Sequence, residues 1–259
     1  MKKIFLFAAV ALVALSSCKK DADKKEKIFK GEVKPFQMGK AWTWYEVDEN
    51  DNPVRLAITI DDAAMNSLSA ATSDGDGDSH HMENSLSLAL HPKALATPFK
   101  HVMLDWNPAG HEPVFYMKPH FDFHFYETTE AERLAIPLYE QAPDKFDNEP
   151  AAAYLPANYI STPQGVPQMG KHWVDVTSSE FTPAGFNQTF IYGTYDGKVT
   201  FYEPMITEEF LKANPSFERS IPQPAKFQSA GWYPTKMRIA KQNGTTNIIL
   251  ENFVKRQAN

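Results

Sequence analysis

The run D-W-N-P-A-G-H-E-P-V-F-Y-M-K-P-H-F-D-F-H-F-Y-E, Asp105 to Glu127, ends in strict alternation. His120, Asp122, His124 and Tyr126 alternate with Phe121, Phe123 and Phe125. A period of two is the signature of a strand with unlike faces, so the three Phe belong to a core and the polar set to the opposite face. Most of the chain's eight histidines lie nearby: seven fall between His80 and His124, and the eighth, His172, sits in a second compact motif. Any chemical site is expected here.

Working outward, similar short alternating segments recur. Ala41–Val47 and Val54–Ile60 flank the turn-forming E-N-D-N-P. Leu86, Leu88 and Leu90 form a half-buried pattern, and Phe99–Trp106 places His101, Met103 and Asp105 on one face. Val114–Met117 reads as a further short strand. Thr189–Tyr195 and Lys198–Tyr202 flank Asp196-Gly197, a strong hairpin signal. A two-residue turn fixes the register, with Tyr195 opposite Lys198, Tyr192 opposite Phe201 and Phe190 opposite Glu203, and sets Phe190, Tyr192, Val199, Phe201 and Glu203 on one face. A carboxylate there belongs either at a sheet rim, which Pro204 permits, or in a buried site. Met237–Ala240 and Asn247–Phe253 close the chain. Short helices are expected after Asp61 or Asp62, after Thr128 or Thr129 through a capping box with Glu132, and after Thr207. Residues 140–168, rich in Pro, Ala and Asn, read as a long irregular excursion. With 19 prolines and no repeat, the fold class is mostly β: an antiparallel sandwich or barrel with a few short helices.

The first 17 residues combine Met1-Lys2-Lys3, an apolar run from Ile4 to Leu15 and small residues, the pattern of a secretory signal peptide. The run falls short of the ~20 residues of a spanning helix. Leu15-Ser16-Ser17-Cys18 resembles a bacterial lipobox, which implies lipidation at Cys18, the single cysteine. Residues 18–34 are dense in charge and read as a tether, leaving 35–259 as one β-rich domain. The resulting address is the cell envelope, on the periplasmic side or the cell surface, held to the membrane by the lipid. Nine of the 26 basic residues and four of the 32 acidic ones precede Pro35, so the domain carries 17 against 28. Such acidity excludes a nucleic-acid footprint.

Asp74-Gly75-Asp76-Gly77-Asp78 begins like a calcium loop, but the twelfth position lacks glutamate, so residues 71–81 with His80 and His81 read as a solvated loop. Histidine is the common ligand for zinc, copper and iron. The candidate ligands for one divalent transition metal are His111, His120, His124 and His172, with Asp122 and Glu203 as supporting or acid–base groups. His120 and His124 lie about 13 Å apart along an extended strand, too far to share an ion unless a bulge intervenes. Asp122-Phe123-His124 with Glu127, and Pro167 before His172, resemble cupin motifs in part, but the first histidine of H-x-H is missing and the glycine is displaced to Gly170. The cupin assignment is therefore not made. Nucleophilic catalysis lacks a usable cysteine, a G-x-S-x-G elbow or a serine beside a histidine. Glu112, Asp122 and Glu203 are available for glycoside hydrolysis, yet nothing in their spacing favours it. The alternative to a metal or small-ligand site is a non-catalytic envelope binding or structural module, with the histidines bonded to turns and carboxylates.

Four motifs resemble those of a family of exported bacterial proteins that has a domain of unknown function and is represented structurally by a hypothetical protein from a thermophilic bacterium. They are W-N-P-x-G-H-E-P (Trp106–Pro113), P-H-F-D-F-H-F-Y (Pro119–Tyr126), V-P-x-M-G-x-H-W (Val166–Trp173) and F-x-E-P-M (Phe201–Met205). The resemblance spans roughly residues 35–255 and implies a mainly β fold and homo-oligomers.

Overall fold

A computed structural model describes residues 27–70 and 84–259. The signal peptide, Cys18, the first part of the tether and the His80-His81 loop lie outside the described residues. The strands are β1 (Lys27–Phe36), β2 (Gly39–Val47), β3 (Pro53–Asp61), β4 (Ser85–Ala89) and β5 (His101–Asn107). They continue with β6 (His120–Tyr126), β7 (Tyr159–Ser161), β8 (Lys171–Asp175), β9 (Gln188–Tyr195) and β10 (Lys198–Thr207). The last are β11 (Ser216–Ser220), β12 (Gly231–Tyr233), β13 (Lys236–Gln242), β14 (Thr245–Glu251) and β15 (Val254–Arg256).

Two open antiparallel sheets face each other, in the orders β1-β2-β3-β14-β13-β11 and β4-β5-β6-β10-β9-β8-β7; neither closes into a barrel. Alternation explains the core between them. Phe121, Phe123 and Phe125 of β6 join Val102 and Leu104 of β5 and Tyr202 and Ile206 of β10. Opposite stand Leu56, Ile58 and Ile60 of β3, Met237 and Ile239 of β13, and Ile248 and Leu250 of β14. Burying each such side chain contributes about 1.5–3 kcal/mol. The second face of the seven-stranded sheet has a smaller core of its own, formed by Tyr116, Tyr126, Val174, Phe186, Ile191, Phe201 and Met205.

Four short α-helices, α1 (Asp62–Met65), α2 (Glu130–Leu134), α3 (Pro143–Phe146) and α4 (Glu208–Ala213), occur among the described residues. Asp61 caps α1, Thr207 caps α4, and Thr129 with Glu132 forms the expected capping box on α2. The excursion over 140–168 is irregular but pinned. Phe146 is fully buried, Leu155 reaches the main core, and the Tyr159 hydroxyl donates to the Phe190 carbonyl at 2.6 Å.

Three expectations are corrected. The folded domain does not begin at Pro35: β1 starts at Lys27 and pairs with β2 from Lys27↔Val47 to Phe36↔Gly39. Its lysines belong to a sheet edge, where charge is common because it deters edge-to-edge pairing. Val114–Tyr116 is a 3-10 turn and not a strand. Finally, the β9–β10 hairpin turns at Asp196-Gly197, but its pairing shifts between Val199 and Phe201. The extra residue, Thr200, places Phe201 opposite Gly193 and Tyr202 opposite Tyr192. Beyond this bulge the two faces exchange. Phe190 and Tyr192 enter the main core with Tyr202, whereas Phe201 and Glu203 turn to the other face.

Candidate metal centre

The outer face of the seven-stranded sheet carries a polar row set by cross-strand register. Asp105 of β5 opposes Asp122 of β6, Met103 opposes His124, and Asn107 opposes His120. On the other side of β6, Met205 of β10 opposes Asp122. Two residues back along β10, on the same face, Glu203 falls beside His124. Asp105, Asp122, Glu203, His120 and His124 are all buried.

At one end of the row, three residues converge: His111, His120 and Asp122. The N-P-A-G turn brings His111 back over the start of β6. Gly110 holds φ +74, and a Cβ on it would sit 2.2 Å from the Tyr116 carbonyl oxygen, so the turn demands glycine. His120 Nε2 lies 3.1 Å from Asp122 Oδ1, and His111 Nε2 lies 3.3 Å from Asp122 Oδ2. Asn107 Nδ2 donates to Oδ2 at 2.8 Å. The other ring nitrogens face backbone carbonyls: His111 Nδ1 at 2.7 Å from Glu112 O, His120 Nδ1 at 2.6 Å from Lys118 O. A carbonyl only accepts, so each Nδ1 carries hydrogen and each Nε2 is the nitrogen presented to Asp122. Tyr116 packs beside both rings and donates its hydroxyl to Glu180 at 3.2 Å.

At the other end, His124, His172 and Glu203 converge. His124 stands between two carboxylates, with Nδ1 3.3 Å from Asp105 Oδ2 and Nε2 3.4 Å from Glu203 Oε1. His172 Nε2 is 3.8 Å from Glu203 Oε2. His172 reaches this point because it pairs with Gly193, the residue over which the Phe201 ring lies.

Burial and charge set the proton affinities. Burial alone would raise Asp122, but the His120 charge and hydrogen bonds from both histidines hold it well below the usual carboxylate range. Burial opposes charge on His111, yet Asp122 lifts it to about 9. Burial raises Glu203 to about 8; the His124 charge lowers it, while Asp122 and Asp105 repel its ionised form. His124, against its own burial, is raised to about 9 by Glu203 and Asp105. His101, stacked on Tyr126 at 4.8 Å, is lowered to about 4 by burial and the nearby Arg133 charge.

The four candidate histidines thus belong to two groups. His120 and His124 do not share a group, in keeping with their separation along the strand. Asp122 and Glu203 stand at the centre of their groups, each facing two imidazoles. Glu203 is buried and away from the rim. Glu112 uses its carbonyl, while its side chain faces solvent. Asp105, Asn107, Tyr116 and Glu180 were not singled out from sequence. Only Asp105 carried a signal, its place on one face with His101 and Met103.

Comparison of the chain with protein-family models, with curated proteins and with solved structures finds no match.

Proposed function

We propose that this is an exported, lipid-anchored β-sandwich protein of the bacterial envelope that binds a divalent transition metal through His111, His120 and Asp122. One observation carries the reading. Two imidazoles whose Nδ1 hydrogens are committed to carbonyls direct Nε2 at the two oxygens of one buried carboxylate. In the metal-free protein a proton on His111 Nε2 bridges to that carboxylate, and a divalent cation displaces it to take the same nitrogens and carboxylate. One ligand atom from each of the three residues lies within 4.8 Å of the others, and the two nitrogen–oxygen contacts, each to a different oxygen of Asp122, are 3.1 and 3.3 Å. The backbone carbonyls supply the outer contacts that fix ring orientation in metal sites. Two imidazoles and a carboxylate suit zinc, copper or iron and leave positions open for a small ligand.

The test is metal analysis of the purified full chain, with thermal unfolding before and after adding zinc, copper or iron. A bound ion, or a melting temperature that rises with metal in the wild type and not in His111→Ala, supports the reading. No ion and no shift with any of the three would sink it.

A second reading has its own observation. Val114, Phe115, Met117 and Phe181 are exposed beside the His111 loop, with the two Phe rings in edge contact at 5.3 Å. Under this reading the chain is a non-catalytic envelope module that self-associates, in line with the homo-oligomers its resemblance implies. The metal-free protein would then sediment as an oligomer that Phe115→Ser dissociates; a wild-type monomer rejects it.

A further inference from the structure

We infer that the opposite end of the polar row is a second, separate metal centre, with His124, His172 and Glu203 as ligands and Asp105 orienting His124. The inference does not rest on the first centre, because the two ligand sets share no residue.

His124 and Glu203 are almost wholly enclosed, at 1% and 2% exposure, yet both His124 ring nitrogens and Glu203 Oε2 lack a hydrogen bond of good geometry. Buried polar atoms left in that condition cost on the order of 1–3 kcal/mol each, so they are rare without a ligand or a role. Their directions converge. His124 Nε2 and His172 Nε2 address the two oxygens of Glu203, at 3.4 and 3.8 Å, and one ligand atom from each of the three residues lies within 4.8 Å of the others. His124 Nδ1 points to Asp105 at 3.3 Å, which builds the carboxylate–histidine–metal relay found at many zinc sites.

The walls are apolar. The Phe201 ring meets His124 edge-on at 4.9 Å and His172 at 5.3 Å, and Tyr126 stacks on His124 at 5.5 Å. Asp105 and Glu203 form ion pairs only with histidine among the described residues.

The centres act singly. Paired catalytic ions sit about 3.5–4 Å apart, whereas the strand histidines of the two sets are about 13 Å apart along β6. Each centre reaches solvent through its half-buried histidine, His111 or His172.

The experiment counts ions. The metal-stripped full chain is titrated with zinc, and stoichiometry is read by native mass spectrometry and elemental analysis, with circular dichroism as the folding control. Two ions are expected in the wild type, and one in His172→Gln, Glu203→Gln and His111→Gln. Cobalt(II) provides a second readout, since each centre contributes its own visible bands and His172→Gln should delete one set. A wild-type count of one that His111→Gln abolishes overturns this inference and keeps the first centre. A count of one that His172→Gln abolishes upholds this inference and overturns the first. A count of zero overturns both. The wild-type count stands whether or not a variant folds.

Discussion

Replacing Gly193 with alanine places a methyl carbon 2.0 Å from Phe201 Cε1 and 2.3 Å from both Cδ1 and Cζ. Non-bonded carbons prefer 3.5–4.0 Å, so the ring must retreat by roughly 1.5 Å. It has little room: Phe201 is fully buried and hemmed in by His124, Tyr126 and His172 at ring distances of 4.9, 5.4 and 5.3 Å. Overpacking of this kind costs about 1–3 kcal/mol, and a ring confined on three sides places the cost toward the upper end. For a domain of this size each kcal/mol shifts the melting temperature by about 2–4 °C, so a drop of about 5–10 °C is expected for metal-free protein. The assay is thermal unfolding of wild type, Gly193→Ala, Phe201→Leu and the double variant. Leucine presents no ring edge over residue 193, so the alanine should cost less than about 1 kcal/mol in that background, giving a coupling of at least 1 kcal/mol. Costs that add within about 0.5 kcal/mol would refute the reasoning that this glycine exists to seat that ring.

Further outcomes follow from other parts of the structure. Asp122→Asn keeps the shape of the side chain but removes the charge that both His111 and His120 face; zinc affinity at that centre should fall at least 100-fold, about 2.7 kcal/mol, read by competition with a chromophoric chelator. In chelator, stability should decline between about pH 6.5 and 9. His111 and His124 bind protons more tightly folded than unfolded, so their contribution is full below the unfolded value and is lost as pH rises through about 9. Glu203, raised to about 8, adds a penalty in the same direction, and melting curves across that range that stay level or rise would contradict the arrangement. Removing residues 1–34 deletes β1 up to Lys34, including Phe29 against the core, and strips β2 of its outer partner while leaving it paired with β3. That variant should melt at least about 5 °C lower than the full chain and associate through the new edge; an unchanged melting temperature would count against β1 as part of the domain.

The polar and apolar faces of β6 were legible because strand geometry reads period two directly, and Phe121, Phe123 and Phe125 enter the core as that period requires. The Asp196-Gly197 turn was legible for a local reason, its tolerance of positive φ. The partition of the histidines was not. It depends on which residues of β5, β8 and β10 lie beside β6, and register between strands remote in sequence leaves no mark on either one alone. The bulge at Thr200 was hidden because nothing in the local pattern of β10 marks it; it shows only in the pairing with β9. Strand β1 was hidden because an edge strand protected by lysines has the composition of a tether.

Under the proposed lipid anchor, that early start to the fold would shorten the leash. With Cys18 as the lipidated residue, eight residues would separate the anchor from Lys27, a reach of at most about 30 Å, where a tether running to Pro35 would allow roughly 60 Å. A domain so held would stay close above the bilayer and meet what is embedded in or resting on that membrane. Anything farther away must come to it.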